Sequence, residues 1–215
     1  MLKQLLPDDV ALVVAEESDY AAEVMPAEQR YIARAVLKRQ REFKAGRSCA
    51  RRALAVLGQP SEFAIAKGEM GRPMWPEGIV GSITHTHGYC AAALALSAKY
   101  LGIGVDVEEN TPLDEALLTM ICTARELQWL EQEPRSKLDW GKKIFSMKES
   151  VYKALYPVYG EFLDFSDVYL TVDRATLNVV ACVTKPGACH GQRHVVNFVT
   201  DDHYIYSSVI VVQRP

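Results

Sequence analysis

Gly102–Ile103–Gly104–Val105–Asp106–Val107–Glu108 is the stretch on which the reading of this chain turns. Its alternation of apolar with small or acidic residues predicts a strand, because successive side chains point to opposite faces. Ile103, Val105 and Val107 share one face and suit a core. Gly102, Gly104, Asp106 and Glu108 share the other. Two carboxylates therefore stand two residues apart beside two positions without side chains, which leaves open space next to concentrated negative charge. Aligned carboxylates repel unless a cation joins them. Hard oxygen ligands suit Mg²⁺, which takes one or two carboxylates together with substrate phosphates. A solvated strand end entering the loop Glu109–Pro112 is the plainer alternative.

Two further β-type runs, Ile79–Thr84 and Cys90–Ser97, precede this strand, and His85–Tyr89 between them is short enough for a hairpin. Before them Gly68–Gly78, with three glycines and two prolines, reads as a loop, and Glu62–Ala66 as a strand. Pro26 and Glu28 mark a helix start, and apolar residues at near-helical spacing carry the pattern to Leu57, with Gly58 as its C-terminal stop. Gly46 inside that run either splits the helix or lets a ligand approach the backbone. Val10–Ala15 reads as a strand. After the acidic stretch, Asn110–Pro112 opens a helical region to about Glu133, Pro134 interrupts it, and a second helix runs from about Lys137 to Tyr156. Four strands close the chain, near Val168–Val172, Leu177–Val183, His194–Val199 and Tyr204–Val212. Adjacent strands in this order predict an α+β fold with largely antiparallel sheets rather than a doubly wound one.

The 215 residues are 49% hydrophobic and 24% charged, which excludes disordered, collagen-like and mucin-like chains. A net charge of −3 argues against a bulk nucleic-acid coat protein, which would be basic overall. Lys38–Arg52 nonetheless holds seven lysines and arginines against the single acid Glu42, so a discrete anion site is expected there. The five cysteines are widely spaced and form no CxxC or zinc-ligand pattern, which predicts reduced thiols. The N-terminus MLKQLLPDD has too short an apolar run for a signal peptide, and the longest apolar stretch, Cys90–Leu96, is far short of a membrane span. A soluble, cytoplasmic protein is expected.

Glu149 and Lys153 are four residues apart on one face of the predicted helix Phe145–Lys153. They read either as a surface ion pair or as a further metal carboxylate with a phosphate-binding lysine, and Lys148 lies about 100° round from Glu149. Lys44, Arg47 and Arg51 fall within about 60° on a helical wheel and suit phosphate, or else a solvated face. His85 ends the strand Gly81–His85, where it serves as a phosphate donor or as a turn residue. Leu113–Ile121 offers an apolar contact or packs on its own core.

Together these segments resemble the phosphopantetheinyl transferases, in the single-chain class typified by the enterobactin- and surfactin-synthase activators. The matching strings are Lys38–Phe43 with Gly46–Arg51, Gly71–Arg72–Pro73 with Trp75–Pro76, Gly81–His85, Gly104–Glu108 and Phe145–Lys153, in the family order over roughly residues 36–157. The resemblance implies a pseudo-twofold α+β fold of two similar halves, 1–105 and 106–215, with the active site in the cleft between them. It implies transfer of the 4′-phosphopantetheine arm of coenzyme A to a serine of an apo acyl or peptidyl carrier protein, serving siderophore, polyketide or fatty acid biosynthesis. The products would be the holo carrier and adenosine 3′,5′-bisphosphate. Carried over by motif, Asp106, Glu108 and Glu149 would hold Mg²⁺, with Mn²⁺ as the alternative. Arg39, Arg47 and His85 would grip the nucleotide phosphates, Gly71, Arg72, Pro73 and Ser82 would border the adenosine, and Lys67 would be a further nucleotide contact. Lys148 and Lys153 would hold the pyrophosphate, and Glu149 would activate the carrier's serine. A monomer is expected, with neither nucleic acid nor membrane as partner. The competing readings are a nucleic-acid-binding module using the helix 38–52 and a metal-dependent phosphodiesterase.

Overall fold

The structure is a computed structural model that describes residues 1–132, 137–173 and 175–213. After an N-terminal single-turn helix come β1 (Ala11–Val14), the one-turn helix α1 (Pro26–Gln29) and the long helix α2 (Leu37–Val56). The short strands β2 (Ala66–Lys67) and β3 (Pro73–Met74) lead into β4 (Ile79–Thr86), β5 (Tyr89–Leu96) and β6 (Tyr100–Glu109). Helices α3 (Glu115–Ile121), α4 (Ala124–Glu131) and α5 (Lys137–Tyr159) follow, then β7 (Val168–Val172), β8 (Val179–Val183), β9 (Arg193–Thr200) and β10 (Tyr204–Val212). A three-stranded sheet runs β1-β5-β4 and a five-stranded one β6-β10-β9-β8-β7, while β2 and β3 pair alone. Every pairing is antiparallel, so the fold is α+β with antiparallel sheets, as expected.

The alternation along β6 holds. Ile103, Val105 and Val107 are buried with Ala91, Ala93 and Ala95 of β5 and with Leu2, Leu6 and Val10, so the N-terminal segment covers a layer that both sheets contribute to. The other edge of β6 lies beside β4 and is bridged by side chains. Ser82 Oγ accepts from Val105 N–H at 3.2 Å and Thr84 Oγ1 from Val107 N–H at 3.0 Å. These hydroxyls satisfy strand donors that no backbone partner reaches. The division expected after residue 105 falls inside β6.

Two long helices back the sheets. Helix α2 packs Cys49, Ala50, Ala53 and Leu54 against Ala92 and Leu94 of β5. It does not start at Pro26. The Glu28 carboxylate is drawn into the interior, where it accepts from Arg51 and from Ile65 N–H. That turns the chain back so that Ile32 meets Phe43. Gly46 neither splits α2 nor admits a ligand: a Cβ there would stand 3.0 Å from Ile83 Cγ2, so it permits close packing on β4. Gly58, at φ +70, closes α2, with Gln59 N–H reaching Leu54 O and Gly58 N–H reaching Ala55 O.

The helical region after Pro112 is two helices rather than one. Thr123 stops α3 and caps α4, its hydroxyl accepting from Glu126 N–H while Glu126 accepts from Thr123 N–H at 2.7 Å. Glu133 and Pro134 lie outside the described residues. Helix α5 passes Pro157 and ends at Tyr159. The strand expected from Glu62 is only Ala66–Lys67, and the one expected from Leu177 starts at Val179, because Leu177 adopts φ +56 in the turn before it.

Candidate active site

The two glycines of β6 place the chemistry. A Cβ at Gly104 would collide with the carbonyl of Ser150, and one at Gly102 with that of Ala154. The space expected beside the carboxylates is therefore filled by the backbone of α5, which these glycines allow to lie directly on the strand. With Ser150 and Ala154 against β6, Glu149 and Lys153 flank the contact and meet Asp106. Lys153 Nζ donates to Asp106 Oδ1 at 2.6 Å and stands 3.9 Å from Glu149 Oε2. Glu108 pairs with Lys142, about two turns from Glu149 toward the N-terminal end of α5, at 2.8 Å.

The electrostatics follow from burial. Asp106 is 3% exposed, and its Oδ2 is buried without a hydrogen-bond partner. Burial raises the proton affinity of Glu149, Lys153 opposes this, and the charges of Asp106 and Glu108 add to it. Glu108 is raised in the same way by burial, against its hydrogen bond from Lys142. Burial pulls the Lys153 ammonium down, but Asp106 and Glu149 outweigh it and keep the group charged. Among the described residues no three His, Cys, Asp or Glu side chains already converge on a common ion position. A buried carboxylate oxygen without a partner, beside two carboxylates that hold protons too tightly, is nonetheless a donor set that fits a hard divalent cation.

Lys148 is a correction. It is 3% exposed and turned away from this group, and its ammonium donates to Glu126 Oε2, Ile121 O and Phe165 O at 2.7–2.8 Å. All three donors are spent inside the fold, so none is left for a pyrophosphate. Burial lowers its proton affinity, and Glu126 opposes that.

Of the residues expected at the phosphates, Arg39 and His85 meet. Arg39 Nη1 lies 2.6 Å from His85 Nε2. Because a guanidinium only donates, Nε2 is assigned as the acceptor and the ring proton to Nδ1, 3.7 Å from Glu42. Burial and then Arg39 lower the His85 pKa, with Glu42 opposing. Arg47 is 6% exposed, donates through Nε to Ile65 O, faces the Phe43 ring and lies 3.8 Å from Glu28. Its burial lowers its pKa to about 10. Of the other five cations of the basic stretch, four are paired internally: Arg41 with Glu17, Arg51 with Glu28, Arg52 with Glu16 and Asp19, and Lys38 with Glu42, which leaves Lys44 beside a shallow surface pocket with Gln29 and Gln40. A free cationic face for nucleic acid is not what this helix offers.

A cavity of about 250 Å³ opens between the loop 70–75, β4 and α5. Gly71, Arg72, Pro73, Ser82, Glu149 and Lys153, all expected site residues, line it. Arg39, Lys67, His85, Asp106 and Glu108 do not. Lys67 is exposed on β2 and its side chain crosses Gly71, which needs φ +83. Sequence reasoning missed Tyr152, Tyr156 and Trp75 on the wall of this cavity. Tyr152 Oη and Arg72 Nε are buried there without hydrogen-bond partners. The signal was available, since Glu149, Tyr152, Lys153 and Tyr156 recur at helical spacing. Lys142, seven residues before Glu149, shares that face and was missed too. In α3, Leu118 and Ile121 enter the core while Met120 stays 68% exposed.

The 4′-phosphopantetheinyl transferase N-terminal domain family matches residues 27–95, and the 4′-phosphopantetheinyl transferase superfamily matches residues 102–207. The chain belongs to that superfamily, and is an enzyme of the holo-carrier synthase type. It is 40% identical over 177 residues to 4′-phosphopantetheinyl transferase Svp of Streptomyces mobaraensis, covering 81% of this chain and 72% of that one. It is 39% identical over 173 residues to 4′-phosphopantetheinyl transferase Npt of Nocardia iowensis, covering 80% and 77%. Among solved structures it is similar to a holo-(acyl-carrier-protein) synthase from Bacillus anthracis in complex with CoA (3′,5′-ADP), at 19% identity and TM-score 0.43, covering 54% of this chain and 99% of that one.

Proposed function

We propose that the cleft where β4, β6 and α5 meet carries the transfer of the 4′-phosphopantetheine arm of coenzyme A to a serine of an apo acyl or peptidyl carrier protein. The carrier's serine oxygen bonds to the phosphorus that bears the pantetheine arm. The bond from that phosphorus to adenosine 3′,5′-bisphosphate breaks, and the serine loses its proton. The observation that carries this reading is the meeting of Asp106 on β6 with Glu149 and Lys153 on α5, with Lys153 2.6 Å from Asp106.

Asp106, Glu108 and Glu149 are the residues that would hold Mg²⁺ or Mn²⁺. When bound, such an ion supplies positive charge to the pyrophosphate oxygens and polarises the phosphorus under attack. Lys153, kept charged by its carboxylate neighbours, holds the pyrophosphate and offsets charge that develops on the departing oxygen. Glu149, whose proton affinity burial has raised, takes the serine proton directly or through water. Arg39, Arg47 and His85 hold the nucleotide phosphates, with Arg47 and His85 at the 3′-phosphate. Arg47 is fixed for that by Glu28, Phe43 and Ile65 O. Gly71, Arg72, Pro73 and Ser82 border the adenosine, and Lys67 is a further nucleotide contact.

The chain acts as a monomer in this reading, with β4 of one sheet and β6 of the other lying side by side beneath α5. A cytoplasmic setting fits the five cysteines, all buried free thiols. No helix among the described residues is long and apolar enough to cross a membrane. The test is incubation with coenzyme A, Mg²⁺ and a panel of apo carriers, read by mass spectrometry. A phosphopantetheine mass added to a carrier, and lost on chelation, is the expected result. No mass change across peptidyl and acyl carriers contradicts it, and release of adenosine bisphosphate without a carrier favours the phosphodiesterase alternative.

A further inference from the structure

Lys142 has no part in the roles set out above, yet it makes a direct contact with one of the three carboxylates. Its Nζ lies 2.8 Å from Glu108 Oε2, and the two side chains are only 18% and 20% exposed. The ammonium also stands 5.5 Å from the centre of the Phe145 ring, which backs it from within α5. On a helix, residues seven apart fall about 20° from one another and residues four apart about 40°. Lys142, Glu149 and Lys153 therefore form one stripe along α5, facing Asp106 and Glu108 on β6. Two ammonium groups alternate with three carboxylates across this interface: Lys142 with Glu108, and Lys153 with Asp106 and Glu149. They differ in what they leave available. Asp106 keeps a buried oxygen without a partner, whereas Glu108 is drawn toward the N-terminal end of α5, away from Glu149.

We infer that Lys142 is a positioning residue for Glu108: it holds that carboxylate back along α5 and competes with a divalent cation for it. The inference rests on the proposed reading of Asp106, Glu108 and Glu149 as the cation's ligands. A cation joining all three must take Glu108 from an ammonium already at hydrogen-bond distance in a half-buried setting, where charges interact more strongly than in water. Lys142 therefore weakens cation binding, and keeps the cleft from carrying three unopposed carboxylates.

The test uses the full chain with coenzyme A, titrated with Mn²⁺ and followed by the electron paramagnetic resonance signal of free Mn²⁺, against coenzyme A alone. Wild type, K142M, K142R and D106N are compared, with far-ultraviolet circular dichroism to confirm that each is folded. K142M is expected to bind Mn²⁺ about ten-fold more tightly than wild type, which corresponds to about 1.4 kcal/mol. K142R keeps the charge and should stay near wild type. D106N should lose the site, which ties the signal to this cleft. Equal or weaker affinity in K142M, with binding lost in D106N, overturns the inference and leaves the metal reading standing. Mn²⁺ binding that D106N leaves intact, or none in any variant, overturns both.

Discussion

Replacing Lys148 with methionine keeps the shape of the side chain and removes its charge. In the folded protein this strips one partner from Glu126 and leaves Ile121 O and Phe165 O without their donor. Breaking a buried ion pair from one side costs about 3–5 kcal/mol, because the remaining charge stays buried. Glu126 retains Thr123 N–H, Thr123 Oγ1 and Leu170 N–H, so the expected loss lies toward the lower end, at about 3 kcal/mol. For a chain of this size that is a fall in Tm of roughly 6–12 °C. In the double variant K148M/E126Q no buried charge is stranded, and at least half of the loss should return. The assay is urea unfolding of the four proteins in a double-mutant cycle, with kcat and the KM for coenzyme A measured on the same samples. The reasoning is refuted if K148M unfolds like the wild type. It is also refuted if K148M/E126Q regains stability yet loses kcat as fully as a Lys153 variant, because Lys148 would then act on the phosphate and not on the fold.

Three other outcomes follow from the same packing. Gly104→Ala forces its methyl into the carbonyl of Ser150, so α5 must lift from β6; a loss of about 1–3 kcal/mol in urea unfolding and of most transfer activity is expected. Because His85 is depressed below its ordinary value in the folded chain, the unfolded chain binds more protons just below about pH 6.5. Stability should therefore rise with pH through that window and fall on acidification, as the Arg39 bond to Nε2 is lost; urea midpoints in His85→Gln should lack this slope. Glu28→Gln removes a charge that Arg51 and Arg47 share and weakens the anchor of Ile65, so chemical denaturation should show a loss of about 3 kcal/mol, with a raised KM for coenzyme A.

Much of this was legible in the residues, for identifiable reasons. The period of two in Gly102–Glu108 fixed which face of β6 entered the core, and the hairpin at His85–Tyr89 followed from its length. What the glycines were for was not legible. A position without a side chain reads equally as open space or as a seat for another backbone, and only the packing of α5 shows that Gly102 and Gly104 are seats. The helix from Pro26 was misread because Glu28 looks like a surface acid at a helix start, whereas its burial with Arg51 and Ile65 N–H bends the chain. The lysines of α5 show the same limit. Lys148 is 100° from Glu149, and nothing local says that this direction is filled by Glu126, 22 residues earlier in the chain. Lys142 and Tyr152 lay within reach of helical spacing. The basic window also read as a ligand site, although most of its charges are met by acids of the first 42 residues.

On the proposed reading Asp106, brought to Glu149 and Lys153 by the glycine seats of β6, is needed for the transfer and not for the fold. This requirement is tested most directly by mass spectrometry of an apo carrier incubated with coenzyme A, Mg²⁺ and either wild type or Asp106→Ala. The wild type should convert the carrier to its phosphopantetheinyl form, while folded Asp106→Ala leaves it unmodified over the same time. Conversion by Asp106→Ala at the wild-type rate would contradict the account.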